Sequence, residues 1–66
     1  MPFVNIKITN DGATEEQKLQ VMKGVTQVLQ DVLGKDPETT TVIIEEINTE
    51  NWGKGGDSLK NRRKKQ

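Results

Sequence analysis

Between Phe3 and Thr9 apolar and polar residues alternate, with Val4, Ile6 and Ile8 on one side and Phe3, Asn5, Lys7 and Thr9 on the other. A period of two predicts a β-strand with one face built for a core. Asn10-Asp11-Gly12 breaks the alternation and predicts a turn or loop. From Glu15 to Leu33 the period changes: Leu19, Val21, Met22, Val25, Val28, Leu29, Val32 and Leu33 recur at three- and four-residue intervals. That spacing predicts an amphipathic helix. Thr14-Glu15-Glu16-Gln17 reads as a capping box ahead of it, and Gly34 as its stop. Gly24 sits mid-helix, where glycine costs ~1 kcal/mol against alanine, and predicts either close approach of another backbone, the favoured reading, or a tolerated defect.

Lys35-Asp36-Pro37-Glu38 predicts a loop, and Thr39 to Ile47 a second strand rich in β-branched residues. Val42, Ile43 and Ile44 in succession leave neither face polar, the pattern of a parallel strand covered on both sides. Strand, helix and strand in this order give a right-handed βαβ unit with parallel strands, an α/β (α+β) fold. One helix covers one face of two strands, so the other face calls for a second copy of the chain. Asn48 to Gly56 is polar and glycine-rich, with the only Trp, Trp52, at its centre, and predicts a hairpin or loop. A phosphate cradle is not assigned there, because no Gly-Lys-Ser/Thr follows and no helix is predicted to open after Gly56. Trp52 fits a subunit interface and a pocket wall equally well.

The chain has 66 residues, no Cys and no His. A chain this short buries only ~60% of the surface its unfolded form exposes. Disulfides and the usual zinc, copper and haem ligands are absent, so neither a metal nor a cofactor is expected and oligomerisation remains as the stabiliser. Cys–His and Ser–His catalysis are excluded with them. No long apolar run or signal-peptide pattern occurs, so a soluble cytoplasmic protein without membrane contact is expected. The net charge of zero hides an asymmetry: all ten acidic residues precede residue 60, whereas Lys60, Arg62, Arg63, Lys64 and Lys65 hold five of the ten basic ones. One domain over residues 1–59 with a basic, solvated tail over 60–66 follows. The acidic surplus of the body speaks against a nucleic-acid partner.

Pro2 has two readings: a proline at a strand edge, where its missing N–H costs nothing, or the source of the chemistry. With Met1 removed it becomes an N-terminal secondary amine, a base and nucleophile at the end of a strand that can aim its lone pair. With Met1 in place its nitrogen is an amide and the chemistry is lost.

Pro2 opening a short strand, Thr14-Glu15-Glu16-Gln17-Lys18 opening the helix, the strand Val42-Ile43-Ile44-Glu45-Glu46 and the segment Trp52-Gly53-Lys54-Gly55-Gly56 together resemble the 4-oxalocrotonate tautomerase family. The resemblance runs from Pro2 to about Leu59. It implies a βαβ subunit with a C-terminal hairpin, assembled as a homohexamer, in which Pro2 is the general base interconverting enol and keto forms of a 2-keto acid. It also implies Trp52 as the aromatic of the pocket. Dicarboxylate-processing members of that family place one arginine just before the helix and one in the second strand, where this chain has Ala13 and Thr41. A bidentate arginine–carboxylate contact has no equivalent at either residue. Thr41, Trp52, Lys54 and Arg63 are therefore the candidate substrate-binding residues, with Lys54, Arg62 or Arg63 of another subunit replacing the absent charge. Two other readings stand beside the enzyme: a subunit of this fold that serves as an inactive partner, and a small binding module that uses its basic tail.

Overall fold

The computed structural model describes residues 1–64. Strand β1 (Phe3–Thr9) and strand β2 (Thr41–Ile47) lie side by side in parallel, with Phe3 opposite Thr41, Ile6 opposite Ile44 and Thr9 opposite Ile47. Helix α1 (Glu15–Leu33) connects them, which is the expected βαβ unit. Both helix ends follow from local chemistry. The Gln17 N–H donates to Thr14 Oγ1 at 3.1 Å, and the Thr14 N–H donates to Gln17 Oε1 at 2.9 Å, so two amides that the first turn leaves without partners are satisfied. At the other end Gly34 adopts φ +66°, a left-handed conformation that glycine takes without a Cβ penalty. Its N–H and that of Lys35 then reach the carbonyls of Gln30 and Leu29.

Two boundaries differ from the sequence expectation. Strand β2 begins at Thr41, not Thr39, because Pro37–Thr39 forms a 3-10 turn. Asp36 drives it: its Oδ1 accepts from the Glu38 N–H at 3.0 Å, and its carbonyl accepts from the Thr39 N–H at 3.1 Å. After β2, a second 3-10 turn (Thr49–Asn51) leads into a tight hairpin of β3 (Gly53–Lys54) and β4 (Asp57–Ser58). Gly55 and Gly56, at φ +64° and +81°, form its two-residue turn, the geometry that matches the twist of the flanking strands. A helix does open after this turn: α2 (Leu59–Lys64) starts at Leu59, where Ser58 Oγ accepts from the Asn61 N–H at 3.2 Å. Residues 60–64 of the expected solvated tail continue this helix, while Lys65 and Gln66 lie outside the described residues.

The core is half built. Val4, Ile6, Ile8, Val42 and Ile44 are half-buried on the face that α1 covers. There Lys18 of α1 also meets Glu46 of β2 at 3.0 Å. On the opposite face Phe3 is 63% exposed and Ile43 is 39% exposed, so the double cover expected for β2 is not made within one chain. Beside and beyond Ile43 on this face lies a polar group, where Asn5 Nδ2 donates to Glu45 Oε1 at 2.7 Å and Lys7 Nζ approaches the same oxygen at 3.2 Å. Gly24 likewise has no backbone against it, since a Cβ there would meet nothing within 4 Å. Among the described residues none is fully buried. The radius of gyration is 15.2 Å, whereas ~11 Å is expected for a compact domain of this length. A chain stretched over 45 × 24 × 15 Å has the shape of a part and not of a finished globule.

Candidate active site

The parallel register sorts the candidate residues into two groups. At the amino end of the strands the backbone N–H of Thr41 donates to the carbonyl of Pro2 at 3.0 Å. Half-buried Pro2 is thereby fixed in line with β1, beside Thr41, while Met1 projects into solvent. Trp52, Lys54 and Arg63 all follow the carboxyl end of β2. Six steps of ~3.3 Å along the strands put ~20 Å between the two ends. Within one chain, Pro2 and Thr41 do not meet Trp52, Lys54 and Arg63.

The carboxyl end is well tied. Asn10 joins the loop after β1 to the end of β2, its N–H donating to the Ile47 carbonyl at 3.1 Å and its Nδ2 to Asn48 Oδ1 at 2.7 Å. Trp52 is half-buried, and its carbonyl accepts from the Leu59 N–H at 2.7 Å, which anchors the start of α2 to the aromatic. Arg62 Nη1 donates to the Lys54 carbonyl at 3.2 Å and holds the helix against the hairpin. Arg63, one turn beyond Leu59, crosses to the loop after β1, where Nη1 and Nη2 donate to Asp11 Oδ1 and Oδ2 at 2.8 and 3.2 Å. The Thr9 hydroxyl donates to the same carboxylate. Asp11 consequently sits well below its ordinary value of 3.8, at about 2, first through the Arg63 hydrogen bonds, then through Thr9, with the guanidinium charge adding. Arg63 is raised by the same contact.

Asp11 is the residue that sequence reasoning did not single out. Between Asn10 and Gly12 it reads as a turn residue, and its partner lies 52 positions away. Ser58 before Leu59 was the local signal for the missed α2, an N-cap residue followed by an amide for it to accept. An open groove of about 550 Å³ between α1 and β2 is lined by Glu15, Glu16, Lys18, Leu19, Met22 and Ile44. None of the candidate residues lines it, and it is the unfilled flank of the half-built core. No cluster of three His, Cys, Asp or Glu able to hold a metal occurs among the described residues, and none of their helices is long and apolar enough to cross a membrane.

The sequence profile of a family described as "Tautomerase enzyme" matches residues 2–62. The chain belongs to the tautomerase family. Among its tautomerase relatives, the "Probable tautomerase K2" of Dickeya dadantii is 64% identical over 96% of this chain and 94% of its own length. The 2-hydroxymuconate tautomerase of Pseudomonas putida is 40% identical over 91% and 94%. The crystal structure of DmpI from Helicobacter pylori superimposes with a TM-score of 0.88 at 42% identity, covering 98% of this chain and 100% of that one. The tautomerase fold therefore extends over nearly the whole chain, hairpin included.

Proposed function

We propose that this chain, once Met1 is removed, is a homo-oligomeric tautomerase that interconverts enol and keto forms of a 2-keto acid, with Pro2 as general base. The observation that carries the reading is the Thr41 N–H to Pro2 carbonyl hydrogen bond. It docks the residue bearing the amine onto the end of a paired strand, where a lone pair is held and not swept through solvent. The neutral amine takes the proton from the enol hydroxyl, the electron pair of that O–H bond becomes the carbonyl π bond, and the C=C π pair takes the proton back from the resulting ammonium to form the new C–H bond. Proton and charge balance without a cofactor.

An α-amino group has a pKa of ~8 and a proline amine lies higher, so the site must favour the neutral form by excluding water or by nearby positive charge. The groups suited to this, Trp52 as an apolar wall with Lys54 and Arg63 as cations, stand at the far end of the same chain. The reading therefore builds each site from two copies: Pro2 and Thr41 from one, the Trp52 hairpin and α2 from another. That no described residue is fully buried and that Phe3 and Ile43 are exposed support assembly, and a hexamer is the form the family resemblance implies. Localisation in the cytoplasm belongs to the same reading.

Intact-mass measurement, followed by ketonisation assays with the enol of phenylpyruvate, tests the proposal. Mass loss of one methionine and a rate above buffer are expected. A Met1-free oligomer that ketonises no enol leaves the inactive-subunit reading, which the missing arginines at Ala13 and Thr41 favour.

A further inference from the structure

The Arg63 guanidinium presents a two-pronged donor set to a carboxylate, the geometry in which arginine recognises carboxylate ligands. In this chain both prongs are already filled, one by each oxygen of Asp11, and the Thr9 hydroxyl steadies the acid from the other side. The pair stands one helical turn from Leu59, whose N–H is bonded to the Trp52 carbonyl. It thus belongs to the group of residues that the proposed function places against Pro2 of another copy. Within one copy both side chains are about half exposed, so nothing in that copy's own packing keeps the pair closed. Arg62, the neighbouring cation, is turned to the Lys54 carbonyl.

Resting on the reading of this site as an enol–keto tautomerase, we infer that Asp11 is a built-in competitor for a substrate carboxylate at Arg63, and so sets the preference of the site for monocarboxylates over dicarboxylates. A ligand with one carboxylate binds without disturbing the pair. A second carboxylate has to displace Asp11, which stays ionised throughout the neutral range and does not yield by protonation. The substrate class that follows is a 2-keto acid whose remainder is neutral.

The test uses the Met1-free oligomer and two unreactive ligands with the same six-carbon diene chain, muconate with two carboxylates and sorbate with one, titrated through the fluorescence of Trp52. For the parent sorbate is expected to bind several-fold more tightly than muconate; a parent that binds the two equally or prefers muconate overturns the inference. Asp11→Asn is expected to strengthen muconate binding about tenfold and sorbate by about twofold at most, the scale expected of a freed charged contact. Asp11→Glu should restore the parent ratio, and Asp11→Asn/Arg63→Ala should erase the gain. An Asp11→Asn oligomer of parent mass and circular dichroism with an unchanged ratio, or a gain that survives Arg63→Ala, refutes it. If Asp11→Asn does not assemble, the ratio measured on the parent decides alone. Binding of these ligands needs no proton transfer by Pro2. An oligomer that shows the expected ratios yet ketonises no enol would sink the catalytic reading and leave this one standing.

Discussion

At the amino end of the β1–β2 pair the chain holds Pro2 by one backbone hydrogen bond from Thr41, and around it lie solvent-exposed Met1 and Phe3. At the carboxyl end Asn10, Asn48, Trp52, Lys54, Leu59, Arg62, Arg63 and Asp11 are joined by side-chain and backbone hydrogen bonds into a closed corner. On the proposed reading the first end supplies the base once Met1 is removed and is unfinished, whereas the second is finished and supplies no base. In the proposed assembly two copies of a short chain supply what one cannot: the base from one, the wall and the charge from the other. Short chains gain doubly from this division, since the same contact that completes the site also covers apolar surface that a single copy leaves wet.

The comparison breaks most completely if the layer joining the two ends fails. Ile44→Asp, on the face packed under α1, is expected to abolish folding or assembly, because an unpaired carboxylate buried between helix and sheet costs several kcal/mol. Val42→Asp carries the same expectation. Sedimentation and circular dichroism check both, and a folded oligomer from both variants would show that the core face is not what holds the ends in register. Next in size, Pro2→Ala should lower ketonisation by ~100-fold or more, the low end of general acid–base contributions. Oligomer mass should not change. Parent-like activity would remove Pro2 from the chemistry.

The division of labour has a sharper test. Pro2→Ala and Trp52→Ala oligomers, each impaired alone, should regain activity when dissociated together and reassembled, because about a quarter of the sites then draw an intact Pro2 from one copy and an intact Trp52 from another. No recovery in confirmed hybrids would put both residues of a site in one chain, against the ~20 Å between the strand ends. Thr41→Arg, which adds a cation beside Pro2, should shift the rate ratio toward a dicarboxylate enol by about tenfold. An unchanged ratio places Thr41 outside the site.

The smallest effect concerns the corner itself. The Asp11 carboxyl lies below its ordinary 3.8, at about 2, so the stabilisation it gives through Arg63 is complete above about pH 4 and is lost as the pH falls toward 2. The protection of α2 amides, taken relative to their intrinsic exchange at each pH, should fall across that interval in the parent. In Asp11→Asn no such step is expected; the same step in both would mean that another group fastens α2.

Residues close in sequence fixed most of the fold. The alternation from Val4 to Ile8 made β1, the three- and four-residue recurrence from Leu19 to Leu33 made α1, and Thr14, Gln17 and Gly34 set its ends, each through contacts no more than a few positions away. The same locality explains the errors. Asp36 competes for the amides of Glu38 and Thr39 and delays β2 to Thr41, and Ser58 starts a helix too short to announce itself by periodicity.

The site was legible only as a set of residue types. That Pro2 is the candidate base is read from its position behind Met1 together with the family resemblance. That Thr41 lies beside it, while Trp52, Lys54 and Arg63 lie a strand length away, depends on the parallel register, and the pairing of Arg63 with Asp11 depends on α2 turning back across 52 positions. Helices, caps and strands are decided by neighbours along the chain, and so the sequence alone determined them. Which end of the sheet a side chain occupies, and which distant charge it meets, is decided by the path of the backbone through space, and only the tertiary structure could supply that.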